Sequence, residues 1–198
     1  MLRLLILLSL ILNTGFLFAQ NNKIAITIDD VPCANCRTYE IALEVNKKLI
    51  SILKNNEATA IGFVNEIKLF SRNQPDQKKI DILKLWLKND LELGNHTFSH
   101  VFINNVSVKE YENEILKGEI ITRPLIESFG KELKYFRHTQ LRTGATLLYK
   151  QQLDSVLKLH NYITAPVTMD NDEYIYAYCY KYTREQNDSI SMKLIADD

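Results

Sequence analysis

Two histidines four positions apart, His96 and His100, are the strongest metal-ligand candidates in the sequence. If the segment between them is helical, both imidazoles lie on one face and can reach one ion. Two neutral imidazoles suit a borderline metal such as zinc. Thr97 stands where an H-E-x-x-H zinc-protease helix needs its glutamate, so a general base must come from elsewhere in the chain. The alternative is a solvated helix with two incidental histidines, although half of the four histidines lie in this short segment.

Two consecutive carboxylates, Asp29 and Asp30, form the second candidate group. Like charges in one site are costly unless a metal or a cation compensates for them. Asp29 is the obvious candidate for the general base that the histidine segment lacks. The alternative for this pair, which precedes Val31 and Pro32, is a simple turn cap. Arg137 is a candidate cation for the site, with an ordinary surface arginine as the alternative.

The elements that must position these residues alternate along the chain between β-branched apolar runs and amphipathic helical patterns. The patterns predict strands over 24–28, 58–64, 91–93, 134–136 and 162–167, and helices over 40–54, 76–89, 107–129 and 144–159. We expect Pro124 to kink the third helix or break it in two. The aromatic stretch 173–182 is predicted to add a sixth extended segment or a lobe.

This alternation favours an α/β fold with a parallel sheet or barrel over a helix bundle. Active sites in such folds lie at the carboxyl ends of the strands. Residues capable of chemistry follow four of the five predicted strands: Asp29 and Asp30, 94–100, Arg137 and His138, and 170–172. We therefore expect these residues to meet at one edge of the sheet.

The composition restricts the class of protein. The chain has 198 residues, of which 46% are hydrophobic and 24% are charged, as in a globular domain with a real core. Lys and Arg number 24 and are balanced by 24 Asp and Glu, without the basic excess of a nucleic-acid-binding protein. Three cysteines are too few for a disulfide scaffold.

The first 19 residues have the pattern of a secretory signal peptide. Arg3 precedes an apolar run that ends at Ala19, and this run is short for a transmembrane span. We therefore expect a mature domain over 20–198, secreted or periplasmic, with no stable membrane span after cleavage. An uncleaved N-terminal anchor is the alternative, because Leu17 is larger than a signal peptidase prefers.

Cys33 and Cys36 form a C-x-x-C pair between the first predicted strand and the first predicted helix. Outside the cytoplasm such a pair is often oxidised, and the simplest interpretation is a disulfide that rigidifies a loop. The same order of elements is also typical of thioredoxin-like redox enzymes, which leaves a thiol-disulfide oxidoreductase as an alternative. Cys179 is predicted to be a small buried residue of an aromatic strand.

Four segments resemble the motifs of the polysaccharide deacetylases, the NodB-homology or carbohydrate esterase family 4 enzymes. Residues 27–32 (TIDDVP) resemble T-[FI]-D-D-x-P, and 96–100 (HTFSH) match H-[ST]-x-x-H. Residues 136–138, followed by Gly144, are similar to R-x-P-x-G but place Thr139 where proline is expected. Residues 170–174 (DNDEY) resemble a loose fourth motif.

The resemblance implies an incomplete (β/α) barrel with parallel strands, and a divalent metal ion, expected to be zinc, as cofactor. It implies the following roles: metal ligands Asp30, His96 and His100; catalytic base Asp29, held in place by Arg137; and substrate-binding residues His138, Asp170 and Tyr174. The implied reaction is the removal of N-acetyl groups from a polysaccharide or cell-wall glycan by water.

Three alternatives stay open beside this function: an O-acetyl-polysaccharide esterase of the same fold, a non-catalytic carbohydrate- or metal-binding protein, and the redox enzyme already described. Family members carry a later L-x-H motif whose histidine acts as general acid, and no histidine follows Asp170 here. His160 ends a predicted helix, which leaves His138 as the substitute. We therefore expect that the C-terminal part of the domain is missing and that the chain turns over little substrate.

Overall fold

A parallel sheet of five strands forms the centre of the molecule. The computed structural model describes residues 24–170 and 173–197. The sheet strands are β1 (Ile26–Val31), β2 (Ala60–Val64), β5 (Glu92–Asn95), β6 (Tyr135–Phe136) and β7 (Ile163–Thr164), and each pairs in parallel with the next. The spatial order β1-β2-β5-β6-β7 is therefore the order along the chain.

Helices connect consecutive strands, as a parallel sheet requires. They are α1 (Tyr39–Asn55), α2 (Gln77–Lys88), α3 (Val108–Lys117), α4 (Thr122–Glu127) and α5 (Leu147–Leu159). A hairpin of β3 (Phe70–Ser71) and β4 (Gln74–Pro75) follows a short 3-10 helix, Glu66–Leu69. Two further helices, α6 (Glu173–Glu185) and α7 (Ser189–Asp197), end the described chain.

Side chains at the helix starts explain where several of these helices begin. The hydroxyl of Thr38 accepts a hydrogen bond from the backbone N–H of Ile41, and Asp76 caps α2 in the same way. Ser107 and Glu110 form a reciprocal capping box at the start of α3. Such caps satisfy backbone donors that a helix start leaves unpaired, each worth ~1 kcal/mol.

The core between α1, α2 and the sheet holds a hydrogen-bonded polar pair. The indole N–H of Trp86 donates to Oδ1 of Asn46 at 2.7 Å, and both side chains are buried. The Asn46 amide donates in turn to the carbonyl oxygens of Pro32, at 2.6 Å, and Ala42, at 2.7 Å. Because Pro32 follows β1 directly, this pair connects the core to the segment that leaves the carboxyl end of the strand.

The structure confirms an α/β fold with a parallel central sheet. Strand order that follows chain order is the arrangement of a (β/α) barrel, whereas doubly wound sheets reverse direction at a switch point. Within the described residues the sheet is open, with β1 and β7 as its outer strands. The five predicted strands are all present with shifted ends.

Two predictions about the second half of the chain are wrong. The segment predicted as extended over 173–182 is the helix α6, and Cys179 is exposed on it rather than buried in a strand. The third predicted helix is in two parts, as expected: the chain turns over 118–121 between α3 and α4, and Pro124 lies inside the first turn of α4. Proline is tolerated near a helix start because the backbone N–H it lacks has no partner there.

Every helix in the described part of the chain is too short or too polar to cross a lipid bilayer. The predicted signal peptide over 1–19 lies outside the described residues.

Candidate metal and catalytic centre

A β-bulge at the end of β1 brings Asp29 and Asp30 to the carboxyl edge of the sheet together. Ile28 pairs with Gly62 and Val31 with Val64, so β1 has one residue more than β2 over this interval. Asp30 has a φ of 64°, a left-handed backbone that costs ~1–3 kcal/mol for a residue other than glycine. In a regular strand two consecutive side chains face opposite sides, whereas a bulge can re-aim one of them.

The histidine segment is a loop, so the helical condition under which its two rings would share one face is not met. Thr97 and His100 have φ values of 67° and 57°, which are incompatible with a continuous right-handed helix. Backbone N–H groups of the segment bond elsewhere: Phe98 donates to the carbonyl of Glu114 at 2.9 Å, and Ser99 donates to the Glu114 carboxylate at 2.8 Å. This turn nevertheless brings the two imidazole centroids to 5.0 Å from each other.

Asp30, His96 and His100 come together at this edge. Each offers a ligand atom, and the three atoms lie within 4.8 Å of one another. Nε2 of His100 is 3.9 Å from Oδ1 of Asp30, and Nε2 of His96 is 3.9 Å from Oδ2 of Asp29. The two aspartates thus face two different histidines.

A backbone contact sets the orientation of the His96 ring. Its Nδ1 is 2.8 Å from the carbonyl oxygen of Arg137 and must donate to it, which leaves Nε2 with its lone pair toward the carboxylates. Burial lowers the pKa of His96 well below its ordinary value, so the ring is neutral at pH 7. A neutral imidazole with Nε2 available is the form that binds a metal ion.

Gln140 holds the second histidine. Its side-chain amide lies 3.0 Å from Nδ1 of His100, and its own φ of 49° is left-handed. The atom at this distance is the amide nitrogen Nε2 of Gln140, which also donates to the backbone carbonyl of His100 at 3.4 Å. The amide nitrogen of Gln140 can donate to Nδ1 of His100 only if Nδ1 is unprotonated, and the amide oxygen can accept from Nδ1 only if Nδ1 is protonated. Exchange of the two amide atoms would present the oxygen to Nδ1–H and leave Nε2 of His100 with its lone pair as a ligand atom.

Lys68 is the cation closest to the carboxylate of Asp30. Its Nζ lies 2.9 Å from Oδ1 of Asp30, and both side chains are largely covered. Burial by itself raises the pKa of Asp30, but the charge and hydrogen bond of Lys68, together with the nearby imidazoles of His100 and His96, bring the pKa below its usual value. The carboxylate is therefore ionised at neutral pH.

Arg137 lies beside Asp29 in a fully buried position. One guanidinium nitrogen is 3.8 Å from Oδ2 of Asp29, and another donates to the hydroxyl of Thr27 at 2.9 Å. Its guanidinium carbon lies 4.7 Å from the centroid of the Phe63 ring. Gly94 lies against the same ring, where a Cβ would come within 2.5 Å of it. These contacts place a fixed positive charge beside the side chain of Asp29.

Buried asparagines fix the loop that carries the histidines. Nδ2 of Asn65 donates to the carbonyl of His96 at 2.5 Å, which links the ends of β2 and β5. Oδ1 of Asn95 accepts from the N–H of Thr97 at 2.7 Å, while its Nδ2 donates to the hydroxyl of Tyr162 at 2.9 Å. The left-handed turn at Thr97 is thus held by hydrogen bonds among residues at the ends of three strands.

The three predicted substrate-binding residues lie in different surroundings. His138 is buried edge-to-face on Phe136, with a ring separation of 5.1 Å, and burial lowers its pKa to about 4. Asp170 is exposed and makes no hydrogen bond or ion pair with another described residue. Tyr174 is exposed on α6 and lines a cleft that also includes Asp30. Asn171 and Asp172, part of the fourth motif, lie outside the described residues.

Lys68 and Gln140 contact the candidate ligands but are not among the residues predicted from the sequence. Lys68 follows the carboxyl end of β2. Because active sites in parallel α/β folds lie at the carboxyl ends of the strands, this end could have been searched in the same way as the others. Gln140 lies three positions after Arg137, at a position that the R-x-P-x-G motif leaves unspecified, so the motif gives no signal for its side chain.

Cys33 and Cys36 are joined by a disulfide in the loop between β1 and α1. Together with Asp30 they line the cleft that includes Tyr174, which has a volume of about 820 Å³. The disulfide therefore lies next to the carboxylate and histidine cluster rather than at a separate surface.

Comparison with known proteins gives a family match over most of the chain. The family model for polysaccharide deacetylase matches residues 19–157. A peptidoglycan-N-acetylglucosamine deacetylase from Bacillus cereus is 31% identical over 119 residues, which are 60% of this chain and 46% of that protein. The chain thus spans less than half the length of this curated relative.

Solved structures share the fold. A polysaccharide deacetylase from Bacillus cereus matches with a TM-score of 0.57 at 20% identity, over 78% of this chain and 65% of that one. A family 4 carbohydrate esterase from Streptomyces lividans, in complex with acetate, matches with a TM-score of 0.55 at 17% identity, over 78% and 67%. A CE4 family pseudoenzyme from Bacillus anthracis matches with a TM-score of 0.56 at 15% identity, over 83% and 51%.

Proposed function

Because this chain belongs to the polysaccharide deacetylase family, we propose that it is a metal-dependent hydrolase that removes N-acetyl groups from a polysaccharide or cell-wall glycan. The observation that carries this proposal is the cluster of Asp30, His96 and His100, whose ligand atoms lie within 4.8 Å of one another beside Asp29. The named activity of the Bacillus cereus relative supports a peptidoglycan or similar N-acetylated substrate.

The donor set of the cluster fits a divalent ion, and we propose zinc. Two imidazoles and one carboxylate are ligands that zinc prefers, and three protein ligands leave positions open for water and substrate. The hydrogen bond from Nδ1 of His96 to the Arg137 carbonyl is the outer contact typical of metal-bound histidine. A bound ion supplies Lewis acidity, which polarises a carbonyl group and makes water easier to deprotonate.

We propose that Asp29 is the general base. Its side chain is 31% exposed, so it is accessible to a water molecule and a substrate, and it lies 3.9 Å from Nε2 of His96. In the reaction it takes the proton of the water that attacks the N-acetyl carbonyl carbon. Arg137, 3.8 Å away, keeps the carboxylate ionised before this transfer and fixes its position.

We assign the remaining predicted residues according to their surroundings. Tyr174, which lines the cleft next to Asp30, contacts the sugar in this proposal, and exposed Asp170 lies ahead of it in the chain. His138 is buried, so we assign it to the wall behind Arg137 rather than to direct contact with substrate. The signal-like segment over 1–19 and the glycan substrate together favour a secreted or periplasmic location.

The experiment that tests this proposal measures acetate release from N-acetylated chito-oligosaccharides and from acetylated xylan. The protein is treated with a chelator, dialysed, and assayed with and without added zinc, beside His100→Ala as the matched variant. We expect zinc-dependent release from the chito-oligosaccharides and none from the variant. Release only from xylan would identify the O-acetyl esterase instead. No release from either substrate would overturn the proposed hydrolase.

A further inference from the structure

The short 3-10 helix Glu66–Leu69 contacts both parts of the candidate site. The start of this helix donates hydrogen bonds to three consecutive carbonyl oxygens of the histidine loop, residues 96–100. The three bonds are Asn65 Nδ2 to His96 at 2.5 Å, Glu66 N–H to Thr97 at 3.3 Å, and Ile67 N–H to Phe98 at 2.9 Å. Lys68, in the same helix, contacts Asp30 at the end of β1. The position of this helix therefore affects both the proposed histidine ligands and the proposed carboxylate ligand.

The carboxylate of Glu66 joins the 3-10 helix to the start of α4. The side chain of Glu66 is fully buried. One of its oxygens accepts a hydrogen bond from the N–H of Ile121, and the other accepts from the N–H and the hydroxyl of Thr122, at 3.2 and 2.6 Å. Three donors from two residues therefore hold the start of the 3-10 helix against α4.

The peptide unit between Thr97 and Phe98 is held from opposite sides. Its carbonyl oxygen accepts from the N–H of Glu66, and its N–H donates to the carbonyl oxygen of Glu114 at 2.9 Å. In a trans peptide these two groups point in opposite directions. Gly118, which follows α3, lies so close to this peptide that a Cβ would come within 2.7 Å of its carbonyl carbon. Glu66 therefore links one side of the histidine loop to the chain that passes the loop and enters α4.

Stability alone does not account for a buried carboxyl group at this position. Burial raises the pKa of Glu66 above its ordinary value, although the three hydrogen-bond donors act in the opposite direction. A buried ionisable group stabilises a fold little compared with apolar side chains of similar volume. What the carboxyl group does provide is a fixed position of the 3-10 helix relative to α4.

We propose that Glu66 is a positioning residue for the metal centre. By fixing the 3-10 helix to α4, it holds the histidine loop in the conformation in which His96 and His100 face Asp30. All three hydrogen bonds of its carboxylate go to the start of α4, so it acts through the backbone of the loop rather than on the ligand atoms. The inference rests on the proposed function for the identity of the bound ion, but it concerns the geometry of the loop rather than hydrolysis.

The first measurement is the Kd for zinc, determined by competition with a chelating dye. The reference protein and all variants carry Lys68→Met, so that a displaced Lys68 ammonium group cannot alter the result. Glu66→Ala removes the carboxylate, whereas Glu66→Gln keeps the size of the side chain and one acceptor oxygen. Glu110→Ala is the matched control, because the Glu110 carboxylate accepts from the N–H and the hydroxyl of Ser107 at the start of α3 in the same way.

We expect Glu66→Ala to bind zinc at least about tenfold more weakly than the reference protein, the usual effect of removing a contact that orients metal ligands. Glu66→Gln should lie between the two, and Glu110→Ala should bind zinc like the reference protein.

The second measurement is hydrogen exchange of backbone N–H groups in the zinc-free proteins. The N–H of Ile67, which donates to the Phe98 carbonyl, should be accelerated in Glu66→Ala by a factor at least about tenfold larger than the N–H of Leu83 within α2. A loss of global stability alone accelerates both groups equally, and that result would overturn the proposal. If Glu66→Ala does not fold, Glu66→Gln is used for both measurements, with the same directions expected.

Two outcomes separate this proposal from the proposed hydrolase. If Glu66→Ala and Glu110→Ala have equal zinc affinity while the unmodified chain releases acetate, the positioning role is wrong and the hydrolase stands. If exchange at Ile67 is selectively faster but the unmodified chain binds no zinc or releases no acetate, Glu66 positions the histidine loop and the proposed hydrolase fails.

Discussion

Nζ of Lys68 lies 2.9 Å from Oδ1 of Asp30, the carboxylate that we propose as a metal ligand. An ammonium group at this position neutralises Asp30 when no ion is bound, and it repels a divalent cation that binds there. Lys68 is therefore expected to lower metal affinity while it stabilises the ligand carboxylate. Lys68 lies in the short helix that follows β2, a strand whose carboxyl end supplies none of the proposed metal ligands.

Replacement of Lys68 by methionine should tighten zinc binding. Methionine keeps an unbranched side chain but removes the charge, and we expect the Kd for zinc to fall about tenfold, a ~1.4 kcal/mol loss of repulsion. Competition with a chelating dye measures the Kd. Lys84→Met is the matched control, because Lys84 is also partly covered and pairs with an aspartate, Asp81 on α2. Unchanged or weaker binding by the Lys68 variant would contradict the proposed role of Asp30.

The Asn46–Trp86 hydrogen bond should contribute measurably to stability. In Asn46→Ala the buried indole N–H loses its acceptor, and we expect the free energy of unfolding to fall by about 2–3 kcal/mol. Asn56→Ala, at the exposed end of α1, should cost less than about 1 kcal/mol. Guanidinium unfolding of both variants, together with a cycle that includes Trp86→Phe, checks this. Strictly additive effects at Asn46 and Trp86 would show that the bond contributes nothing.

The buried ring of His138 should make the fold sensitive to mild acid. Its pKa is about 4 in the folded protein and 6.5 when unperturbed, because burial disfavours the charged ring. Between these values the unfolded chain binds a proton that the folded one does not, so stability is lost as pH falls below 6.5. We expect this loss to reach about 2 kcal/mol at pH 5 relative to pH 8.

A variant without an ionisable group at position 138 shows how much of the acid-dependent loss of unfolding free energy comes from His138. His138→Leu has a side chain of similar volume, and its free energy of unfolding should fall about 2 kcal/mol less than that of the parent between pH 8 and pH 5. Other groups titrate equally in the two proteins and cancel in the difference. Parallel pH profiles would mean that His138 is not held neutral by burial.

The sequence predicts the edge where the site lies but not the local backbone that assembles it. Alternation of strands and helices is enough to place Asp29, Asp30 and the histidine segment at the same carboxyl edge. The bulge and the left-handed conformations at Asp30, Thr97 and His100 depend on hydrogen bonds with residues distant in sequence, such as Asn65 and Glu114. Periodicity within one segment contains no information about those partners.

The helix α6 shows the opposite failure, in which a local pattern predicts the wrong element. Tyrosine occupies every second position from 174 to 182, which is the period of a strand with one buried face. The structure shows these tyrosines exposed around a helix, so the alternation does not reflect burial against a sheet. Three of them, Tyr174, Tyr178 and Tyr180, line the cleft that includes Asp30, whereas Tyr176 and Tyr182 do not.

The proposed mechanism is tested most directly by replacing each of the two consecutive aspartates, Asp29 and Asp30, one at a time. Zinc content and acetate release from chitohexaose are measured for Asp29→Asn, Asp30→Asn and the parent chain. We predict that Asp29→Asn keeps zinc and loses at least about 10²-fold in turnover, the usual worth of a general base, because the base is needed only for chemistry. Asp30→Asn should lose the zinc itself. Full turnover by both variants, or zinc lost from Asp29→Asn and kept by Asp30→Asn, would contradict the assignment of these two residues.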